Sequence, residues 1–161
     1  TVGEVVVRGP NIMLGYWNNP EETAKALRGG WMHTGDGAYM DADGFIYIVD
    51  RFKDMIVSGG ENVYSGEVES AIASHPAVAA CAVIGIPCAQ WGEAVHAVVV
   101  LKPDNDVASA QIIEHCRRQI AGYKTPKSVE FRTALPLSGA GKVLKRDLRE
   151  PFWAGKDRGV S

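Results

Sequence analysis

The chain has 161 residues, an apolar content of 46% and a formal net charge of −2 at pH 7. This length suits one domain, or a small domain with part of another, and the apolar content is sufficient for a packed core. The charge excludes a strongly basic surface that would bind nucleic acid, and the apolar runs are too short for a transmembrane segment.

The cysteines and histidines predict no metal site. Cys81, Cys88 and Cys116 are odd in number and lack metal-ligand spacing, and the four histidines lack it too. We expect reduced thiols and therefore a cytoplasmic protein. There is no signal-peptide pattern at the start, where a strand pattern begins almost at once.

The first fifty residues predict mostly β-structure. Short strands are expected at 5–7 and 31–34, and a hairpin is expected to join 38–40 to 45–49 through the turn at 41–44. One short helix is predicted at 20–27, with Asn18 or Asn19 as its cap. These strands are not expected to bury both faces alone, which indicates a missing domain upstream.

The pattern then changes to interleaved helices and strands. One helix is expected to begin with Ser65 as its cap and to stop at His75-Pro76. The other predicted elements are strands at 78–86, 94–101 and 129–131, a helix at 109–121 and a helix that begins at 145–149. We predict an α+β fold with a small mixed sheet flanked by helices over 53–150, after a β-rich segment at 1–52 and before a flexible tail at 151–161.

A charged stretch followed by an apolar run and a glycine pair lies at the centre of the chain, at 50–64. Met55-Ile56-Val57 is strand-like, and Gly59 and Gly60 can adopt positive φ and allow another molecule to approach the backbone. From composition alone, a surface β-hairpin preceded by solvated charged residues is the favoured interpretation.

Four segments, taken in order, carry a family resemblance. They are GEVVVRG at 3–9 with GYW at 15–17, WMHTGD at 31–36, the stretch at 50–64, and PLSGAGKV at 136–143. The chain resembles the C-terminal portion of the adenylate-forming acyl-CoA synthetases, the superfamily that includes firefly luciferase and peptide-synthetase adenylation domains. The resemblance implies the end of the N-terminal adenylation domain followed by the small C-terminal lid domain.

The glycine-flanked Lys142 has two interpretations. A phosphate-loop spacing fails, because Pro136 occupies the first glycine position and Val143 replaces Ser or Thr, so a solvated surface lysine is one possibility. The resemblance implies that Lys142 is the catalytic residue of adenylation, where its ammonium faces the acid carboxylate and the α-phosphate of ATP.

The resemblance also implies roles for residues on either side of the domain boundary. Asp36 matches a carboxylate that accepts hydrogen bonds from the ATP ribose, and Arg51 matches a nearby nucleotide-binding arginine. The alternative for Asp36 is a structural role in a turn, and the alternative for Arg51 is a surface ion pair with Asp50 or Asp54. Lys53 occupies the hinge position, although an exposed strand-edge charge would fit as well.

A CoA site is implied at the glycine pair. Gly59 and Gly60 match the loop that lines the pantetheine tunnel, and Trp91 matches a residue that borders the CoA site, although a partly buried core tryptophan is also consistent with its sequence. Gln90, Lys124 and Lys127 are weaker candidates for contacts with the CoA phosphates.

The function implied by the resemblance is that of an ATP-dependent acid:CoA ligase in fatty- or aromatic-acid metabolism. It forms acyl-AMP and then acyl-CoA, with rotation of the small domain between the steps. ATP, CoA and Mg²⁺ are implied, with Mg²⁺ bound through ATP and no ligand for it here. The acid pocket belongs to the missing N-terminal domain, so this chain alone is expected to be inactive. The alternatives are a relative with another acceptor, such as a peptide-synthetase adenylation domain or a luciferase-like enzyme, and a non-catalytic regulatory or interaction domain.

Overall fold

The computed structural model describes residues 1–156, which divide into two compact units. The first unit is Thr1–Lys53 and the second begins at Asp54. Residues 157–161, the last part of the predicted flexible tail, lie outside the described residues.

The first unit is a three-stranded antiparallel sheet with one short helix. In chain order its elements are β1 (Gly3–Val7), α1 (Pro20–Ala26), β2 (Met32–Met40) and β3 (Ile46–Arg51), and the strand order is β1-β2-β3. The predicted cap of α1 is confirmed at Asn19, whose Oδ1 accepts a hydrogen bond from the Glu22 N–H at 3.1 Å.

The predicted separation of strands at 31–34 and 38–40 is wrong, because β2 runs through both segments. Gly35 adopts a φ of 73°, and the register of β2 against β3 shifts between Gly37 and Ala38. The glycines therefore allow an irregularity within one continuous strand, whereas the sequence suggested a break.

Apolar side chains remain exposed on this sheet. Met40 is 67%, Phe45 65% and Ile48 59% exposed, while Tyr39 and Tyr47 stack with ring centroids 5.1 Å apart. This part of the chain therefore buries little of its apolar surface within residues 1–53.

The second unit is the predicted α+β domain, with a mixed five-stranded sheet flanked by helices. Its strand order is β5-β4-β7-β6, with β8 added parallel to β7. The elements are β4 (Ile56–Ser58), β5 (Glu61–Val63), α2 (Ser65–Ala73), β6 (Val78–Cys88), β7 (Gly92–Leu101), α3 (Ser109–Arg117), β8 (Ser128–Phe131) and α4 (Lys145–Trp153).

Strand β7 is buried on both faces, from Val95 to Val99. Val95, Ala97 and Val99 belong to the cluster that includes residues of α2 and α3, whereas Val98 packs with Leu148 of α4. The alternation along β7 therefore separates two buried faces, because helices cover both sides of the sheet.

Two helix ends differ from the sequence prediction. Tyr64, not Ser65, occupies the cap position of α2, and the Ser65 hydroxyl instead accepts a hydrogen bond from Lys145 Nζ at 2.6 Å. Helix α3 ends at Arg117 instead of residue 121, because the N–H groups of Gln119 and Ile120 both donate to the Cys116 carbonyl and close the helix.

Helix α4 extends past Pro151 to Trp153, where the tail was expected to begin. The Trp153 indole N–H donates to the Gly85 carbonyl at 2.9 Å, and the Phe152 ring lies 5.0 Å from the His96 ring. These contacts offset the hydrogen bond that proline cannot make. Across residues 1–156, no helix combines the length and the apolarity that a membrane span requires.

An ion pair joins α4 to the first residue of the second unit. Arg149 Nη1 lies 2.9 Å from Asp54 Oδ1, and the two side chains are only 13% and 14% exposed. A pair this well shielded is costly to break from one side, because the remaining charge keeps its desolvation penalty.

Replacing Arg149 with Met should therefore lower the free energy of unfolding by about 3 kcal/mol, the lower end of the range for a broken buried pair. Urea unfolding curves of the full chain measure this change. Arg146→Met on the same helix is the matched control, because Arg146 is 86% exposed and its loss should cost no more than about 0.5 kcal/mol. Equal effects of the two substitutions would contradict the importance of the Arg149–Asp54 pair.

Candidate functional site

Asp36 and Arg51 lie side by side in the first unit. The β2–β3 register places them opposite each other, and Arg51 Nε lies 3.0 Å from Asp36 Oδ1. The expected alternatives for Arg51 were Asp50 and Asp54, but Asp54 pairs with Arg149. The guanidinium holds the carboxylate in place, and a carboxylate has enough lone pairs to accept further hydrogen bonds from a ligand.

The glycine pair forms a tight hairpin turn between β4 and β5, where Ser58 pairs with Glu61. Gly59 and Gly60 have φ values of 62° and 85°, as a type I′ turn requires. The predicted hairpin is confirmed, but its strands are not superficial, because Ile56 is fully buried within the core.

Trp91 lies against this turn. The Gly59 N–H donates to the Trp91 carbonyl at 2.9 Å, and a Cβ at Gly59 would lie 3.2 Å from Cε3 of the indole. Trp91 is 38% exposed, and Lys127 Nζ lies 5.7 Å from the centroid of its ring. Gly60 differs from Gly59, because a Cβ there would meet nothing within 4 Å among the described residues.

A buried carboxylate that sequence reasoning missed holds this turn in place. Glu93 is 4% exposed, and its Oε2 accepts a hydrogen bond from the Val57 N–H of β4 at 2.9 Å. A Cβ at Gly85 would lie 2.8 Å from the same oxygen, so Gly85 provides the space for the carboxylate. The sequence did contain a sign of this buried carboxylate, because Glu93 is a charged residue at the start of the otherwise mostly apolar strand β7.

Lys142 lies on an ordered hairpin instead of a loose glycine loop. Leu137 pairs with Val143, and the Gly141 N–H donates to the Ser138 carbonyl at 2.8 Å in the turn. Gly141 has a φ of 75°. Within residues 1–156, the exposed Lys142 ammonium has no ion pair or hydrogen bond, so it is available to an anionic ligand.

Lys53 is exposed and lies in the short 3₁₀ turn Phe52–Asp54, where the first unit ends. The structure thus brings Asp36 to Arg51 and Gly59 to Trp91. Lys142 lies elsewhere in the second unit, on the hairpin whose Val143 packs with the α4 face of the sheet.

Comparison with known proteins shows which enzymes this chain resembles. Residues 67–142 match the family model of the AMP-binding enzyme C-terminal domain. The chain is 52% identical over 150 residues to a feruloyl-CoA synthase from an Amycolatopsis species, covering 93% of this chain and 30% of that protein. This chain carries an AMP-binding enzyme C-terminal domain and matches the C-terminal part of adenylate-forming ligases.

The chain is also similar to other ligases. A long-chain-fatty-acid–CoA ligase from Escherichia coli O157:H7 is 49% identical over 92% of this chain and 26% of its own length. A crystal structure of ATP-bound MatB from Rhodopseudomonas palustris superposes with a TM-score of 0.88 at 40% identity, covering 98% of this chain and 31% of that one. The chain thus spans about 30% of the length of the first of these curated relatives.

Lys124 is less available for a ligand than Lys127. Its Nζ lies 2.7 Å from both carboxylate oxygens of Glu67, and this contact raises the pKa of Lys124. Among the described residues, His, Cys, Asp and Glu side chains form no group of three that could hold a metal ion.

His96 is a buried residue of the second unit that the sequence did not single out. Its Nδ1 lies 2.7 Å from Ser128 Oγ and its Nε2 lies 3.6 Å from Glu130 Oε2, while Phe152 packs on the ring. Burial lowers the pKa of His96, and the Glu130 carboxylate opposes this effect only in part. His96 is therefore a neutral packing residue between β7, β8 and α4.

The depressed pKa of His96 should make the folded chain less stable in mild acid. Above the ordinary histidine pKa of 6.5 the folded and unfolded states are both neutral, and below it the unfolded state binds the proton more readily. We therefore expect the free energy of unfolding to fall as the pH drops below about 6.5. His96→Gln should flatten this dependence in urea unfolding curves at a series of pH values. An unchanged slope would mean that other groups cause it.

Proposed function

We propose that this chain is the C-terminal part of an ATP-dependent acid:CoA ligase that forms acyl-AMP and then acyl-CoA. The observation that carries the proposal is that one compact unit presents Lys142 and the glycine turn from different loops, and that this unit begins directly after Lys53. Two relatives that match more than 90% of this chain are named as a feruloyl-CoA synthase and a long-chain-fatty-acid–CoA ligase.

In the first step, a carboxylate oxygen of the acid attacks the α-phosphorus of ATP and pyrophosphate leaves. Negative charge accumulates on the phosphate oxygens, and the Lys142 ammonium is positioned on its hairpin to stabilise that charge. Asp36, held by Arg51, accepts hydrogen bonds from the ribose hydroxyls. Mg²⁺ would accompany the ATP phosphates.

In the second step, the sulfur of CoA attacks the acyl carbon, the thiol proton is lost and AMP leaves. The turn at Gly59 and Gly60 lets the narrow pantetheine arm pass close to the backbone, because no Cβ projects there. Trp91 supplies an aromatic surface beside the turn, and Lys127 next to it supplies a cation for the CoA phosphates.

The two steps need different loops at one adenylate, so the second unit must turn between them. Lys53 lies at the point where the units divide, and a hinge needs only a few residues that absorb a change in φ and ψ. The Lys142 hairpin and the glycine turn then reach the adenylate one after the other, while the fold of the second unit stays the same.

The acid pocket and the rest of the ATP site are assigned to sequence outside this chain, which spans only 30% of the feruloyl-CoA synthase. The chain alone should therefore not form acyl-AMP at an appreciable rate. Aromatic and long-chain acids form the first substrate panel for the full-length ligase. Thioester formation with free CoA separates this proposal from a relative that uses another acceptor.

Lys142→Ala in the full-length ligase should lower the adenylation rate by about 10²–10³-fold, as loss of one charge-stabilising group does elsewhere. Acid-dependent pyrophosphate release measures this step. Thioester formation from supplied acyl-AMP should be nearly unchanged, since Lys142 acts only in the first step. The exposed Lys156, changed to Ala, is the control and should affect neither step. Equal losses in both steps would contradict the proposed division of labour.

Gly60→Val should have the opposite pattern, with adenylation retained and thioester formation from acyl-AMP strongly reduced, because a branched side chain would obstruct the pantetheine arm. Gly44→Val is a matched control for backbone strain. Gly44 and Gly60 have φ values of 86° and 85°, and a Cβ at either meets nothing within 4 Å. If both substitutions slowed the CoA step alike, strain and not obstruction would be the cause.

A further inference from the structure

Two lysines three residues apart, Lys142 and Lys145, have opposite surroundings. Lys142 is exposed, whereas Lys145 is 15% exposed and its Nζ lies 2.8 Å from Glu69 Oε1 and donates to Ser65 Oγ at 2.6 Å. The chain thus places one cation for contact with a ligand and anchors the other on α2.

The anchor on α2 is itself fixed to the sheet. Glu69 Oε1 also accepts a hydrogen bond from the Val83 N–H of β6 at 2.8 Å, and the Glu69 side chain is 25% exposed. One carboxylate therefore joins α2, β6 and the first residue of α4. A charge-assisted contact with limited exposure restricts where that first turn can lie.

The backbone between the two lysines carries this constraint to Lys142. The Leu144 N–H donates to the Pro136 carbonyl at 2.8 Å, and Leu137 pairs with Val143 across the hairpin. Lys145 follows directly and begins α4. A shift of Lys145 would therefore displace the strand of the hairpin that carries Lys142.

We propose that Lys145 is a positioning residue for adenylation, a role that rests on the proposed function. Its contact with Glu69 and Ser65 fixes the first turn of α4 and, through the hairpin, the place of the Lys142 ammonium. Lys145 itself does not touch the substrate. Because a misplacement of about 1 Å can cost as much as 10²-fold in rate, this anchor affects the first step and not the second.

The test uses the full-length ligase and measures both half-reactions. Lys145→Met should lower the adenylation kcat by about 10-fold, less than a full 1 Å displacement costs, with little change in the KM for ATP. Thioester formation from supplied acyl-AMP should stay unchanged, which also shows that the variant is folded. Lys145→Arg should restore much of the rate, because arginine can donate to the same two oxygens.

Further variants separate positioning from a general loss of stability. Glu69→Gln keeps an acceptor for the Val83 N–H and should cause the same selective loss of adenylation rate. It replaces Lys145→Met as the test if that variant does not fold. The double variant Lys142→Ala/Lys145→Met should be no slower in adenylation than Lys142→Ala, because Lys145 acts only through Lys142. Arg146→Met is the matched control and should change neither step.

Several outcomes would overturn this role alone. These are an unchanged adenylation rate in Lys145→Met, an equal loss in both half-reactions, or an additive loss in the double variant. If the unsubstituted ligase formed no acyl-AMP, or Lys142→Ala had no effect, the proposed function would be wrong and this role would fall with it.

Discussion

The second unit depends on the burial of β7 on both of its faces. Each valine that moves from water into such a core contributes about 1.5–3 kcal/mol, and Val95, Val98 and Val99 are all fully buried. Helices α2 and α3 cover one face of this sheet and α4 covers the other, and the glycine turn joins two of its strands, β4 and β5. Both core clusters consist of residues of the second unit, which is compatible with the proposed movement of that unit as a whole.

Carboxylates connect the loops to that core. Glu93 binds the backbone of β4 beside the glycine turn, Glu69 binds β6 and Lys145, and Asp54 binds Arg149 of α4. Each contact is mostly shielded from solvent, so each carboxylate needs its partner in the folded state. These carboxylates hold β4, β6 and α4 in position, whereas Lys142 is exposed and unpaired within the described residues.

The sequence predicted what depends on local chemistry. The hairpin at Gly59 follows from a glycine pair beside β-branched residues, and the cap of α1 follows from Asn19 before Pro20. The ion pair of Asp36 with Arg51 could not be predicted from local sequence, because it depends on the register of β2 against β3 around a bulge. The extension of α4 past Pro151 and the burial of His96 were missed for a related reason, since both arise from packing between distant segments.

The first unit carries the opposite feature, a sheet whose apolar side chains face solvent. Met40, Phe45 and Ile48 are each more than half exposed on or beside neighbouring strands. Patches of this kind on sheets favour contact between copies of a chain. The chain produced by itself should therefore have limited solubility at high concentration, and fusion to a soluble carrier or work at micromolar concentration would suit it in the laboratory.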